Sequence, residues 1–158
     1  MPAVLLVHGG AWAIPEELAK ASVDGVKSAA CEGFSVLRRG GSALDAVEAA
    51  VRALEDNPDF NAGHGATLNI DGEVELDAII MDGRTLACGA VSSVKNIANP
   101  VSLARAVMEK TSHVMLTGRG GQWAATFTTK RMAWAAVEQD VLWFGLDPNE
   151  RLKEKLSQ

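Results

Sequence analysis

Only two cysteines, Cys31 and Cys88, occur in the 158 residues, and their spacing matches neither a metal site nor a redox pair. A disulfide framework is therefore excluded, and a reducing compartment is the natural setting. Positive charge is also scarce: 15 Lys and Arg face 20 Asp and Glu, for a net charge of −5. Without clustered cations the chain has no electrostatic footprint for nucleic acid or anionic lipid, and neutral or small polar partners remain. No apolar run approaches the roughly 20 residues of a membrane helix. Met1-Pro2-Ala3-Val4-Leu5-Leu6-Val7-His8 has no basic region and only a short apolar stretch, so it does not read as a secretion signal, and a cytoplasmic location is expected. Disorder is excluded by a hydrophobic content of 47% against 22% charged residues, and the length suits one domain with a real core.

What the chain does have begins with an apolar run, Ala3 to Val7, short enough to predict a buried strand. It ends in His8-Gly9-Gly10. Glycines at that place either let backbone amides approach a ligand or simply turn the strand out of its sheet. Leu18, Ser22, Val26, Ala29, Gly33 and Val36 then recur at helical steps after Pro15, and Arg38-Arg39-Gly40-Gly41 supplies the stop. Ser42 with Asp45 three residues on predicts a capped second helix with a Leu44, Val47, Val51 and Leu54 stripe. Asn99-Pro100 predicts a third helix through about Lys110, with Leu103, Val107 and Met108 inward, and His113 to Leu116 suits a short strand.

Between the second and third helices lies the stretch on which the rest is organised. Phe60-Asn61-Ala62-Gly63-His64-Gly65 is a glycine-broken polar loop, followed by two extended runs joined at Asp71-Gly72, a hairpin signal. Asp82-Gly83 is a second turn signal before Thr85 to Val91. Glu73, Glu75 and Asp77 alternate with apolar residues and so share one strand face, a pattern of acid–base or metal sites and, more commonly, of a hydrated sheet face. Glu55, Asp56 and Asp59 are acidic, but the EF-hand calcium pattern is absent. His8, His64 and His113 are too scattered for a local metal arrangement.

These motifs carry a family resemblance. Val7-His8-Gly9-Gly10-Ala11-Trp12-Ala13, Gly40-Gly41-Ser42-Ala43-Leu44-Asp45-Ala46-Val47, Leu54 to Gly65, Gly72 to Ala78, Ile80-Met81-Asp82-Gly83 and Asn96 to Pro100 resemble, in number and order, the plant-type asparaginase and isoaspartyl peptidase family. The resemblance implies an α/β fold, the αββα sandwich of N-terminal-nucleophile hydrolases. It implies asparagine and β-aspartyl peptides as substrates, and α and β pieces released from a precursor by cleavage at a Gly-Thr bond. The freed threonine is then nucleophile and its amine the base. It also implies that His8, Gly9, Gly10 and Asn61 support the site. A structural sodium ion would sit on the backbone carbonyls of Leu54, Glu55, Asn57, Phe60, Ala62 and His64; no other cofactor is expected.

The departure from the family is as informative. None of the seven threonines, at 67, 85, 111, 117, 126, 128 and 129, follows a glycine. Residues 1–118 resemble most of the family's α subunit, whereas residues 119–148 resemble strands from the far end of its β subunit, and 149–158 form a charged tail expected to be a solvated turn or helix. The sandwich is accordingly expected to be incomplete, with the junction near Gly118 to Gln122 reading as an internal deletion. In the tail, Trp123, Ala125 and Phe127 are expected on one strand face and Met132, Trp134 and Ala136 on another, with a turn at Lys130-Arg131 and a short strand from Leu142 to Phe144. Two roles follow: a family member without hydrolytic activity, or a non-catalytic partner of full-length asparaginase-like subunits. An unstable product without a role is the third reading. Nucleic acid and membrane are not expected partners.

Overall fold

The computed structural model describes residues 3–119, and the backbone of 122–123, 134–138, 141–145 and 152–155. The chain divides into two units, Met1–Gly121 and Gln122–Gln158.

Helix α1 (Glu16–Arg38) opens after Pro15 with Glu16 and Glu17 in its first turn and closes with Arg38 in its last, a charge order that suits the macrodipole. Gly40, at φ +83°, lets the chain reverse after it. Helix α2 (Ala43–Glu55) starts in a complete capping box: the Asp45 N–H donates to Ser42 Oγ at 3.1 Å, and the Ser42 N–H donates to Asp45 Oδ2 at 3.0 Å. The two helices touch through small residues. A Cβ added at Gly33 would lie 2.6 Å from the Ala46 carbonyl oxygen, so α1 and α2 approach at a distance only glycine permits. The fully buried positions of α2 are Ala46, Ala50 and Glu55, whereas Leu44 and Val47 are half-buried against the sheet and Val51 is exposed. The predicted aliphatic stripe is thus borne out in part: Leu44 and Val47 pack on the core, while the close contact with α1 is made by alanine.

The Ser42 cap makes a measurable prediction. Asp45 is held down to about 2 by the Ser42 hydroxyl, the Ser42 N–H and the Arg105 guanidinium. A carboxyl lowered on folding stabilises above its unfolded value, and that contribution is lost as pH falls from 3.8 through about 2. Ser42→Ala is expected to cost about 1 kcal/mol at pH 7. Its deficit should shrink as the pH approaches 2, read by urea unfolding across that range.

Strand β1 (Leu76–Met81) pairs antiparallel with β2 (Cys88–Val94), with Met81 opposite Cys88. The turn between them forms at Asp82-Gly83 as predicted: Asp82 Oδ1 accepts the Arg84 N–H at 2.8 Å, and Asp82 Oδ2 accepts the Thr85 hydroxyl at 2.9 Å. Helix α3 (Pro100–Lys110) then crosses over to β3 (Met115–Arg119), which runs parallel to β2 with Ala90 opposite Met115. The core of this unit is Leu76, Ile80, Val91 and Val94 of the hairpin against Ala104 and Val107 of α3. Leu103 and Met108 are half-buried at its margin.

Three expectations fail. Ala3 to Val7 forms no strand; Leu5 and Val7 are half-buried while Val4 and Leu6 are exposed, so the run is extended but lacks a paired neighbour among the described residues. An apolar run records a tendency to be buried, whereas a strand needs a hydrogen-bonding partner. Of the Asp71-Gly72 hairpin only the turn forms. Gly72 has φ +75°, the Asn69 N–H donates to the Glu73 carbonyl at 2.9 Å and the Gly72 N–H to the Asn69 carbonyl at 3.0 Å, and the Asn69 side chain accepts the N–H groups of Asp71 and Glu73, but no paired strands extend from it among the described residues. Finally, Leu152–Lys155 is a strand, not a solvated turn or helix.

In the second unit, β4 covers Gln122–Trp123, and β5 (Trp134–Glu138), β6 (Val141–Gly145) and β7 (Leu152–Lys155) form an antiparallel sheet in that order. Trp134 stands opposite Gly145, and Val141 opposite Lys155. The expected strand at Leu142 to Phe144 is therefore present within β6. The expected faces through Ala125, Phe127 and Met132, and the turn at Lys130-Arg131, lie outside the described residues. Among the described residues no helix is long and apolar enough to cross a membrane.

Candidate active site and cation loop

The segment leaving α2 is built from short reversals. The Asn57 N–H donates to the Leu54 carbonyl at 3.3 Å, Phe60 N–H to Asn57 at 3.2 Å, Ala62 N–H to Phe60 at 2.8 Å and Gly65 N–H to Ala62 at 3.1 Å, closing in a 3₁₀ turn at Gly63–Gly65. Gly63 and Gly65 are required for this. A Cβ at Gly63, whose φ is +50°, would lie 2.4 Å from the Glu55 carbonyl oxygen, and one at Gly65 would lie 2.3 Å from that of Phe60. The loop therefore folds its own carbonyls onto two glycines.

Phe60 locks this loop to the rest of the molecule. Its ring is buried and fills the space that side chains at Gly9 and Gly25 would take, at 2.5 and 2.4 Å from their Cβ positions. Gly9 belongs to His8-Gly9-Gly10 and Gly25 to α1, so one aromatic ring fixes three segments far apart in sequence. Within the glycine turn, Gly10 has φ +91° and its N–H donates to His8 Nδ1 at 3.3 Å. Asn61 follows directly on Phe60, and its Oδ1 accepts the Thr67 N–H at 2.8 Å. His8, Gly9, Gly10, Asn61, Thr67 and Asp77 line one cleft of about 1060 Å³. Leu54, Glu55, Phe60 and Ala62 line it too, so of the sequence-predicted site residues only Asn57 and His64 are not part of its lining.

Glu55 is the feature that sequence reasoning missed. Its side chain, 2% exposed, reaches across 46 residues so that Oε1 accepts the Val101 N–H at 2.9 Å, at the N-terminus of α3. Asn99, expected to cap that helix, instead donates from Nδ2 to Asp56 Oδ1 at 2.9 Å. Burial pushes the Glu55 carboxyl up from its ordinary range, while the Val101 N–H works against that shift. Among the described residues Glu55 Oε2 has no hydrogen-bond partner. No local pattern signals a glutamate serving a helix so remote in sequence.

The alternating carboxylates are divided between two structural tasks. Glu73 and Glu75 both pair with Lys95. Asp77 Oδ1 instead accepts the Ser93 N–H at 2.7 Å, where a bulge sets Leu76 opposite Val94 but Ala78 opposite Val91. Ser93 takes φ +51° there, a left-handed conformation that the Asp77 bond holds. Of the threonines, Thr117 Oγ1 is hydrogen-bonded to Ser92 Oγ at 3.0 Å.

Among the described residues, no group of three or more His, Cys, Asp or Glu side chains is arranged to hold a metal. The oxygen donors of the loop are of another kind. The carbonyls of Leu54, Asn57, Phe60 and Ala62 each accept one backbone N–H, which leaves each a further lone pair, and such neutral oxygens suit a hard cation.

Comparison with known proteins gives this geometry a context. The asparaginase family model matches residues 1–122. The isoaspartyl peptidase/L-asparaginase of Danio rerio is 62% identical over 117 residues, covering 74% of this chain and 38% of that protein. The human isoaspartyl peptidase/L-asparaginase is 55% identical over 127 residues, 79% of this chain and 41% of that one. A plant-type L-asparaginase of Thermococcus kodakarensis is 56% identical over 119 residues, 75% of this chain and 39% of that one. The chain spans about two-fifths of the length of the curated relatives it matches. With the glycine turn, the Phe60-Asn61 loop and the Asp82 turn all inside the matched region, the chain belongs to the asparaginase family.

Proposed function

We propose that this chain is a non-hydrolytic member of the asparaginase and isoaspartyl peptidase family, carrying the family's α-subunit-like scaffold without its nucleophile. The observation that carries the reading is that no threonine follows a glycine anywhere in the sequence. Hydrolysis by an N-terminal threonine needs the hydroxyl and the freed α-amine on one residue, and an internal threonine has its nitrogen tied up in an amide. Thr67 and Thr117 are the internal candidates, and both keep that amide. The scaffold reading is an incomplete N-terminal-nucleophile sandwich, in which His8, Gly9, Gly10 and Asn61 would line the place of an asparagine or β-aspartyl substrate. A sodium ion would sit on the Leu54, Glu55, Asn57, Phe60, Ala62 and His64 carbonyls, holding the loop that presents Asn61. Free Cys31 and Cys88 support a reducing, cytoplasmic setting.

The test pairs an assay with a mass measurement. The purified chain is incubated with asparagine and with a β-aspartyl dipeptide, and its intact mass is followed. Background product release from an uncleaved 16.7 kDa chain is expected. Turnover, or fragments of a cleaved chain, would overturn the reading. The second role is association with a full-length asparaginase-like subunit, and co-purification with such a subunit is its test.

A further inference from the structure

The cleft that His8 and Asn61 share has an apolar end in its lining, made by Trp12, Leu18 and Val23 together with Ile79 of β1. This end is apolar and uncovered: Ile79 is 68% exposed, Trp12 60%, Val23 49% and Leu18 42%. An exposed apolar surface bordering a groove marks an interaction site more often than chance. Its charges are all of one sign. Asp59 and Asp77 are its exposed acids, no Lys or Arg lines it, and neither Asp59 nor Asp77 takes part in an ion pair among the described residues. The backbone adds a third feature. In the first unit β1 has one neighbour, β2, and its other edge is open among the described residues, with Asp77, Ala78 and Ile79 contributing to the cleft wall.

An open strand edge offers N–H and C=O groups to another extended segment. β1 has no Lys and no Pro in Leu-Asp-Ala-Ile-Ile-Met, and its one bulge lies at the Asp77 end, which leaves Ala78 to Met81 regular at the open edge. We propose that this end of the cleft is a docking site for an extended peptide segment of a partner protein, bearing alternate bulky apolar side chains and Lys or Arg, which adds to the free edge of β1. The apolar side chains seat between Trp12 and Ile79, and the cations meet Asp59 and Asp77. A second copy of this chain is the poorer occupant, because both copies bring acidic walls to the contact. The inference is independent of whether the chain hydrolyses anything.

The test uses two labelled nine-residue peptides, one alternating Ile and Lys and one alternating Ile and Glu, titrated with the full chain by fluorescence anisotropy. Saturable binding of the Ile/Lys peptide is expected, with the Ile/Glu peptide at least tenfold weaker. Ile79→Lys, at an exposed position, should weaken the Ile/Lys peptide at least tenfold with an unchanged circular dichroism spectrum. Asp59→Asn should weaken it severalfold. Equal binding of a Ser/Lys peptide would show charge attraction without a groove and overturn the proposal. So would a dimer in sedimentation that Ile79→Lys dissociates while neither peptide binds, since the occupant would then be a second copy.

Discussion

Incubated with asparagine or a β-aspartyl dipeptide, the purified chain is expected to release product no faster than buffer. The size of the effect follows from what a nucleophile supplies. Enzymes accelerate such reactions by at least about 10⁶-fold, and removing an activated nucleophile alone costs on the order of 10⁶ in kcat. Whatever the glycine turn and Asn61 contribute to binding, they leave the attacking atom to water. The informative control is the chain supplied with the missing chemistry. A fusion in which the segment after residue 118 is replaced by the corresponding part of the Danio rerio relative should recover turnover if the first 118 residues are a competent scaffold. Recovery would separate loss of the nucleophile from loss of the fold. Failure of the fusion with a cooperative melt would place the fault in the scaffold itself.

The second large effect is structural. Gly89→Ala is expected to destabilise the first unit by about 3 kcal/mol, at the upper end of overpacking costs. Gly89 stands opposite Ile80 in the hairpin, and a Cβ there would lie 2.2 Å from the Ala104 carbonyl oxygen and 2.5 Å from the Met108 nitrogen. Both atoms belong to the backbone of α3, so no rotamer change relieves the clash, and the helix must lift from the sheet. That movement opens the contact between Val91 and the buried face of Ala104 and Val107. The melting temperature should fall by about 6–12 °C, at about 2–4 °C per kcal/mol for a chain of this size. Gly83→Ala is the matched control. A Cβ there meets nothing within 4 Å, so the variant should be neutral or slightly stabilised. A Gly89→Ala melt within 2 °C of the parent would show that β2 and α3 are not packed as described.

Local chemistry was legible in the sequence wherever the partners lie within about four residues. Ser42 and Asp45 make a box because a capping residue and its third successor always meet, and Asp82 closes its turn with Arg84 and Thr85 for the same reason. That no threonine follows a glycine was likewise legible in the sequence, and the proposed lack of a nucleophile rests on it, since no tertiary contact can supply a free amine to an internal threonine. The site motifs, His8-Gly9-Gly10 and the Asn61 loop, were visible as motifs. Their meeting was not.

Only the tertiary structure decided which buried groups would find each other. Glu55 reads as the acidic end of a helix, yet it serves Val101 because α2 and α3 lie side by side, with the last turn of α2 against the first of α3 and Glu48 and Asp45 against Arg105 farther along. Phe60 reads as one apolar residue in a polar loop, yet it joins Gly9 and Gly25, whose missing side chains leave it room. Asp77 reads as one of three carboxylates on a strand face, and it does line one cavity with Glu75, yet a bulge brings the Ser93 N–H to it while Glu73 and Glu75 pair with Lys95. Ala3 to Val7 has the composition of a strand and no strand beside it among the described residues. Composition and spacing fix what a segment can do with its neighbours in the chain. Pairing, burial and close approach depend on segments tens of residues away, and that part of the free energy exists only once the fold has formed.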